Sequence, residues 1–144
     1  MKITELLDLK GIELNVSVSS KDEAINKLID LMCATGKISD KDAYKEGILA
    51  REALTSTGIG EGIAIPHAQS EAVNAPGLAA MVVKDGVDYQ SLDNQPAKLF
   101  FMIAVPKTGG NEHLQILAML SQMLMDTDFK DSLIKSFLCF NCAG

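Results

Sequence analysis

The chain has 144 residues, of which 47% are apolar and 22% charged, and this composition excludes a disordered or fibrous protein. Its formal net charge is −6, from 13 Lys and Arg against 19 Asp and Glu. Such a balance argues against non-specific nucleic-acid binding, which depends on neutralising phosphates. No apolar run approaches the roughly 20 residues that span a bilayer, and the N-terminus lacks the apolar segment of a signal peptide. We therefore expect one cytoplasmic domain over residues 1–144.

The cysteines do not indicate a disulfide framework or a metal site. Their number is odd, at Cys33, Cys139 and Cys142. The CxxC at residues 139–142 would be half a zinc site or a redox pair. A structural zinc needs four ligands, however, and a redox CxxC normally opens a helix after a strand. We expect no metal and assign these cysteines no chemical role.

Two helices are predicted in the first third of the chain. Ser20-x-x-Glu23 is a capping-box pattern, and apolar residues at helical spacing follow it as far as Gly36. A second helix is predicted to begin at Ser39 and to run to about Leu54.

Strands are predicted next. Continuous apolar runs at 78–83 and 99–105 have the length of buried strands. A shorter run at 63–65 is cut off by Pro66, which cannot donate to a strand ladder. Residues 87–92 are interpreted as a further short strand or hairpin arm.

The predicted order of elements defines a fold class. After the strands, Asn111 can cap a helix over 112–125, and a last helix is predicted over about 127–137. Helices and strands alternate without a linker. We therefore predict a single α/β domain, a mixed β-sheet flanked by α-helices on both faces.

The strongest candidate for chemistry is His67, which directly follows Pro66. Upstream lies a loop with three glycines in residues 58–62, and such loops point backbone N–H groups at anions. Arg51 precedes the loop and can pair with a phosphate through its forked donors. Further candidate phosphate-binding residues are Thr55, Ser56, Thr57, Gly58 and Gly60. The pattern indicates a phosphorylated histidine, with a general base at His67 in an unrelated enzyme as the alternative.

His113 is the second histidine of the chain and falls in the first turn of the helix predicted over 112–125. A helix N-terminus disfavours a charged imidazole, so we expect a mostly neutral ring. It is either a hydrogen-bond donor at the site or a buried histidine satisfied by a carbonyl. The sequence contains no P-loop, GxGxxG, GxSxG or HExxH motif, and two histidines without clustered carboxylates make a poor metal site.

The segment from Arg51 to Ala68, REALTSTGIGEGIAIPHA, resembles the signature of the type-2 EIIA domains of the bacterial phosphotransferase system. The likeness consists of an acid at Glu52, six residues, Ile59-Gly60, two residues, and Ile63-Ala64-Ile65-Pro66-His67-Ala68. It extends over about residues 1–135. Further segments that resemble the fructose-type branch lie at 86–89, 98–106 and 111–114.

The resemblance implies a function for His67. This residue would accept a phosphoryl group on Nε2 from phospho-HPr and pass it to a cysteine of EIIB, serving the membrane component EIIC indirectly. Arg51 and His113 would match the supporting positions, and no cofactor or metal would be required. A nitrogen-regulatory EIIA, which acts by docking to other proteins, is the alternative within the family. The tail over 135–144 departs from the polar, acid-containing helix that usually closes these domains.

Overall fold

The computed structural model describes residues 7–60, 62–107 and 115. In chain order, the helices and strands of these residues are β1 (Leu7–Val16), α1 (Lys21–Ala34), α2 (Lys41–Leu54), β2 (Gly58–Gly60), β3 (Ile63–Ala64), β4 (His67–Ser70), β5 (Gly77–Val87) and β6 (Ala97–Pro106). Gln115 is helical. The rest of the helix predicted over 112–125, the helix predicted over 127–137 and the C-terminal cysteines lie outside the described residues.

Helix α1 begins as the capping pattern predicts. The hydroxyl of Ser20 accepts a hydrogen bond from the backbone N–H of Glu23 at 3.2 Å. The Glu23 carboxylate in turn accepts from the backbone and hydroxyl of Ser19, at 2.9 and 3.0 Å. The reciprocal bond therefore reaches one residue further upstream than in the standard capping box.

Helix α2 begins at Lys41, two residues after the predicted start at Ser39. Its N-cap is Asp40, whose carboxylate accepts from the backbone of Ala43 at 3.2 Å. Ser39 is engaged elsewhere, since its backbone N–H and its hydroxyl both donate to the carbonyl of Ala72, at 2.7 and 3.0 Å. These bonds place the start of α2 beside the segment that follows β4.

The sheet is mixed, as predicted. Its order is β1-β5-β6-β3-β2, with β4 also paired to β6. Strands β5 and β6 are antiparallel, whereas β1 is parallel to β5, and β3 and β4 are parallel to β6. Strands β3 and β4 lie one after the other along the same side of β6, separated by Ile65 and Pro66. His67 begins β4 at this interruption and pairs with Ile103.

Four local features differ from the prediction. Strands β1 and β4 are additional to it, and residues 58–60 form a short strand within the predicted loop. The strand predicted over 87–92 is wrong, because β5 ends at Val87 and the next residues form a loop. Gln90, within this segment, has a φ angle of 57°, which is incompatible with an extended strand.

Both faces of the sheet are buried, which explains the continuous apolar runs of β5 and β6. Along β6, Phe100 and Met102 belong to the cluster that contains the buried residues of α1 and α2. Phe101 and Ile103 belong to a second cluster on the opposite face. Both of these helices therefore pack on one face of the sheet. Among the described residues, no helix is long and apolar enough to cross a membrane.

Candidate functional site

The His67 ring is oriented by a backbone carbonyl. The imidazole is partly exposed, and its Nδ1 lies 2.9 Å from the carbonyl oxygen of Ile65. A carbonyl oxygen can only accept a hydrogen bond, so in the neutral ring Nδ1 carries the proton and Nε2 carries the lone pair. Pro66 fixes the backbone between the two residues, and its carbonyl accepts from the N–H of Ile103 at 3.0 Å. The strand interruption therefore determines which ring nitrogen carries the lone pair of the neutral ring.

Helix α2 brings Arg51 to the level of His67. The helix starts beside Ala72, and a Cβ placed on Gly47 would lie 3.3 Å from the Cβ of Ala68, so the helix runs antiparallel to β4. Arg51 lies one turn beyond Gly47 on the same helix face, about 6 Å further along the axis. That distance corresponds to about two strand residues, which places the Arg51 backbone near the start of β4.

The guanidinium of Arg51 is tied to the loop that follows α2. Its Nη1 donates to the carbonyl of Thr55 at 3.0 Å, and the side chain is partly exposed. The bond uses one of the five N–H donors of the guanidinium, so the group retains donors for an anion. The guanidinium is therefore held at the C-terminal end of α2, the helix that packs on β4.

The predicted phosphate-binding loop has an internal hydrogen-bond network of its own. Ser56 donates its hydroxyl to the carbonyl of Tyr89 at 3.1 Å and accepts the N–H of Gly58, also at 3.1 Å. Both the N–H and the hydroxyl of Thr57 donate to Glu52. These groups would have to exchange partners to bind a phosphate, so their role as ligands stays a prediction, as it does for Thr55 and Gly60.

A polar cluster beneath the loop was not predicted from the sequence. Glu52 accepts from Thr57 and pairs with Lys21, whose Nζ lies 3.1 Å from Glu52 Oε1. The same Nζ lies 4.6 Å from the centre of the Tyr89 ring. Burial, together with the charge of Glu52, raises the pKa of Tyr89 far above its usual value, so its phenol stays protonated. The sequence signal for this cluster is Glu52, the acid of the segment from Arg51 to Ala68.

The loop between β5 and β6 holds the glycine segment from the side. The N–H of Leu92 donates to the carbonyl of Gly58 at 2.8 Å. A Cβ on Gly58 would lie 2.4 Å from Ser91 Oγ and 2.9 Å from Ser91 Cα, so this position leaves no room for a side chain. Gly60 has a φ of 103°, and a Cβ there would meet the Asp93 carboxylate at 3.1 Å. Glycine is therefore required at these positions by the approach of the β5–β6 loop.

Replacing Gly58 by alanine is expected to lower the free energy of unfolding by about 1–3 kcal/mol, because the new methyl group overpacks against the Ser91 backbone. Urea unfolding at equilibrium measures the change. Gly36→Ala is the matched control: Gly36 has a φ of 79° but nothing within 4 Å of an added Cβ. That variant should lose about 1–2 kcal/mol by backbone strain alone and leave the loop intact. A wild-type urea midpoint for Gly58→Ala would contradict the close approach.

His113 and Glu61 lie outside the described residues, so the structure does not test the supporting role predicted for His113. Within residues 7–60, 62–107 and 115, no group of three His, Cys, Asp or Glu side chains is placed to hold a metal ion. What the described site can do chemically is present a partly exposed imidazole whose neutral ring carries its lone pair on Nε2.

Comparisons with known proteins agree with this architecture. Residues 5–137 match the family described as "Phosphoenolpyruvate-dependent sugar phosphotransferase system, EIIA 2". The chain is 48% identical over 136 residues to the fructose-specific EIIABC component of Bacillus subtilis strain 168, covering 94% of this chain and 21% of that protein. It is 41% identical over 134 residues to the fructose-specific EIIA component of Haloferax volcanii, and the match covers 93% of this chain and 87% of that protein.

Solved structures share the fold. The nitrogen regulatory protein IIA-Ntr of Neisseria meningitidis superposes with a TM-score of 0.80 at 29% identity, covering 92% of this chain and 90% of the other. The mannitol enzyme IIA of Escherichia coli, solved in complex with phosphorylated enzyme IIB, gives a TM-score of 0.74 at 28% identity, covering 91% and 87%.

The mixed sheet with helices packed on it places the protein in the class of single α/β domains that these solved structures represent. Because the family match spans residues 5–137, the chain belongs to the type-2 EIIA family of the phosphoenolpyruvate-dependent sugar phosphotransferase system. The family predicted from the segment between Arg51 and Ala68 is confirmed. Phosphoryl transfer is the work of this family, and the mannitol complex is one in which an EIIA binds its EIIB.

Proposed function

We propose that this protein carries a phosphoryl group on Nε2 of His67, accepting it from phospho-HPr and passing it to a cysteine of EIIB on the cytoplasmic side of a fructose-uptake system. The observation that carries the proposal is the 2.9 Å hydrogen bond between Nδ1 of His67 and the Ile65 carbonyl. It leaves the Nε2 lone pair as the nucleophile. The fructose assignment rests on the two fructose-specific relatives.

The reaction needs no separate base. The Nε2 lone pair attacks phosphorus while the bond to the donor nitrogen of phospho-HPr breaks, and the phosphoryl group moves in line between the two proteins. The ring keeps its proton on Nδ1 and becomes positively charged. Because that proton faces the Ile65 carbonyl, the dipole of the carbonyl stabilises the charge. Transfer to an EIIB thiolate returns the electron pair to Nε2.

Arg51 is proposed to neutralise the equatorial oxygens of the phosphoryl group as it passes. A guanidinium binds such oxygens through paired donors in a fixed geometry. His113 is proposed to donate a further hydrogen bond to them. The hydroxyls of Thr55 and Ser56 and the amides of Gly58 and Gly60 are proposed to contribute once a phosphoryl group is present. Thr57 keeps its two bonds to Glu52.

The test is a phosphorylation assay with phosphoenolpyruvate, enzyme I and HPr. Intact-mass spectrometry should show the addition of one acid-labile phosphoryl group, and addition of a fructose-type EIIB should remove it. Uptake that EIIB does not discharge would favour the nitrogen-regulatory alternative, which the likeness to IIA-Ntr supports. An absence of uptake would contradict both.

Three exposed apolar side chains of the loop region form the proposed docking surface for HPr and EIIB. They are Leu54, 81% exposed at the end of α2, Ile59, 46% exposed in β2, and Leu92, 65% exposed in the β5–β6 loop. The backbone bond between Leu92 and Gly58 keeps the last two close to each other. Exposed apolar groups at a site of protein–protein transfer favour a contact that is small and quickly released.

Replacing Leu92 by aspartate is expected to raise the KM for phospho-HPr by about ten- to a hundredfold, since a buried apolar contact of one leucine is worth about 1.5–3 kcal/mol. Transfer kinetics at varied phospho-HPr concentration measure the change, and the fold should persist because the side chain is exposed. Leu49→Asp is the matched control: Leu49 is also exposed, but it points about 140° away from Leu54 around the helix. Equal effects of the two variants would contradict the proposed surface.

A further inference from the structure

Glu52 is a buried charged group that the proposed transfer reaction does not use. Only 5% of its side chain is exposed, although it lies on the last turn of a surface helix. Oε1 pairs with Lys21 Nζ at 3.1 Å and accepts the N–H of Thr57 at 3.1 Å. Oε2 accepts the hydroxyl of Thr57. Burying a carboxylate is costly unless it is paired and hydrogen-bonded, so this carboxylate fixes the position of Thr57 with respect to α2.

Thr57 in turn fixes the carbonyl that orients the histidine. The carbonyl of Thr57 accepts the N–H of Ile65 at 3.0 Å. The carbonyl of the same Ile65 lies 2.9 Å from Nδ1 of His67. A continuous series of hydrogen bonds therefore runs from Glu52 through Thr57 and Ile65 to the imidazole ring.

We propose that Glu52 is a positioning residue for phosphoryl transfer: through Thr57 and Ile65 it holds the carbonyl that keeps the proton of His67 on Nδ1 and the lone pair on Nε2. The reacting role of His67 is that of the proposed function, on which this inference rests. Glu52 touches neither the phosphoryl group nor the ring. Its contribution is to limit the movement of the peptide that the ring contacts, and misplacement of a reacting group by about 1 Å costs up to about 100-fold in rate.

A purely structural role makes a different prediction. If Glu52 served only to join α1 to α2 through Lys21, its loss would lower stability but leave the ring of every folded molecule unchanged. If it positions His67, the folded variant should show an altered ring. The tautomer of the imidazole and the separation of kcat from KM distinguish the two roles.

The test uses Glu52→Gln, which keeps the shape of the side chain but replaces one accepting oxygen by an N–H₂ donor. Imidazole ¹⁵N shifts of folded, unphosphorylated protein report the tautomer of His67. We expect a lower fraction of the Nδ1–H form, and a kcat for phosphoryl uptake reduced at least about tenfold with the KM for phospho-HPr changed less than about twofold. Thr57→Val, which removes the hydroxyl alone, should shift both quantities in the same direction and serves if Glu52→Gln does not fold.

Lys21→Met is the matched control. It removes the charged partner of Glu52 but no member of the hydrogen-bond series, so it should lower stability without changing the tautomer. Wild-type tautomer and kcat in folded Glu52→Gln or Thr57→Val overturn the inference. That result is distinct from failure of the proposed function, in which the wild-type protein itself acquires no phosphoryl group on His67.

Discussion

Replacing His67 by alanine is expected to abolish phosphoryl uptake and to leave the protein folded. In the proposed reaction the ring supplies the attacking lone pair, which alanine lacks. The structural cost is small, because the ring is partly exposed and its hydrogen bond to Ile65 contributes about 0.5–1.5 kcal/mol. Intact-mass spectrometry after incubation with phosphoenolpyruvate, enzyme I and HPr measures the uptake, and circular dichroism measures the fold.

Two further variants make this result specific. His67→Gln retains an amide N–H that can reach the Ile65 carbonyl but has no nucleophilic nitrogen, so it should fold as the wild type does and remain unphosphorylated. His113→Ala should still acquire the phosphoryl group, at a lower rate. An acid-labile phosphoryl group on His67→Ala would place the reacting nitrogen elsewhere.

Replacing Arg51 by alanine is expected to slow phosphoryl uptake by about 100-fold, the loss typical of one charge-stabilising donor in an active site. The effect on stability should be smaller, because the side chain is partly exposed and its described hydrogen bond is a single one to Thr55. Rapid-quench measurement of transfer from phospho-HPr gives the rate, and urea unfolding gives the stability.

Arg51→Lys serves as its control. A lysine keeps the positive charge but loses the planar pair of donors, so partial recovery of the rate is expected. If purified Arg51→Ala exchanges phosphate with HPr at the wild-type rate, the role assigned to this residue is wrong. If the transfer rate of Arg51→Ala falls only as much as its folded fraction does, Arg51 stabilises the loop and does not act on the phosphoryl group.

Local sequence patterns predicted the elements whose stability is local. The capping box at Ser20 and the apolar spacing behind it determined α1, and the end of α2 at Leu54 was also predicted correctly. Strands β5 and β6 were predicted because the apolar runs at 78–83 and 99–105 are continuous and have the length of a buried strand. The mixed character of the sheet followed from the order of these elements.

Elements that depend on distant partners were missed. Strand β1 carries a mixed polar and apolar pattern, and it is a strand because it pairs with β5, more than 60 residues away in the chain. Strand β4 is short and polar, and its pairing with β6 defines it. The apolar residues in 87–92 favoured a strand, but Tyr89 turns inward and stacks edge-on against Phe100 while the backbone forms a loop.

The sequence by itself determined the family and the reacting histidine to be tested, because Arg51, the glycine loop and His67 lie within 17 consecutive residues. Tertiary structure alone decided how that histidine is oriented. The Ile65 carbonyl faces its ring because Pro66 interrupts a strand beside β6, and Lys21, Glu52 and Tyr89 meet beneath the loop from three separate parts of the chain. Buried charges and hydrogen bonds depend on which distant groups the fold brings together, and residue spacing along the chain does not encode that.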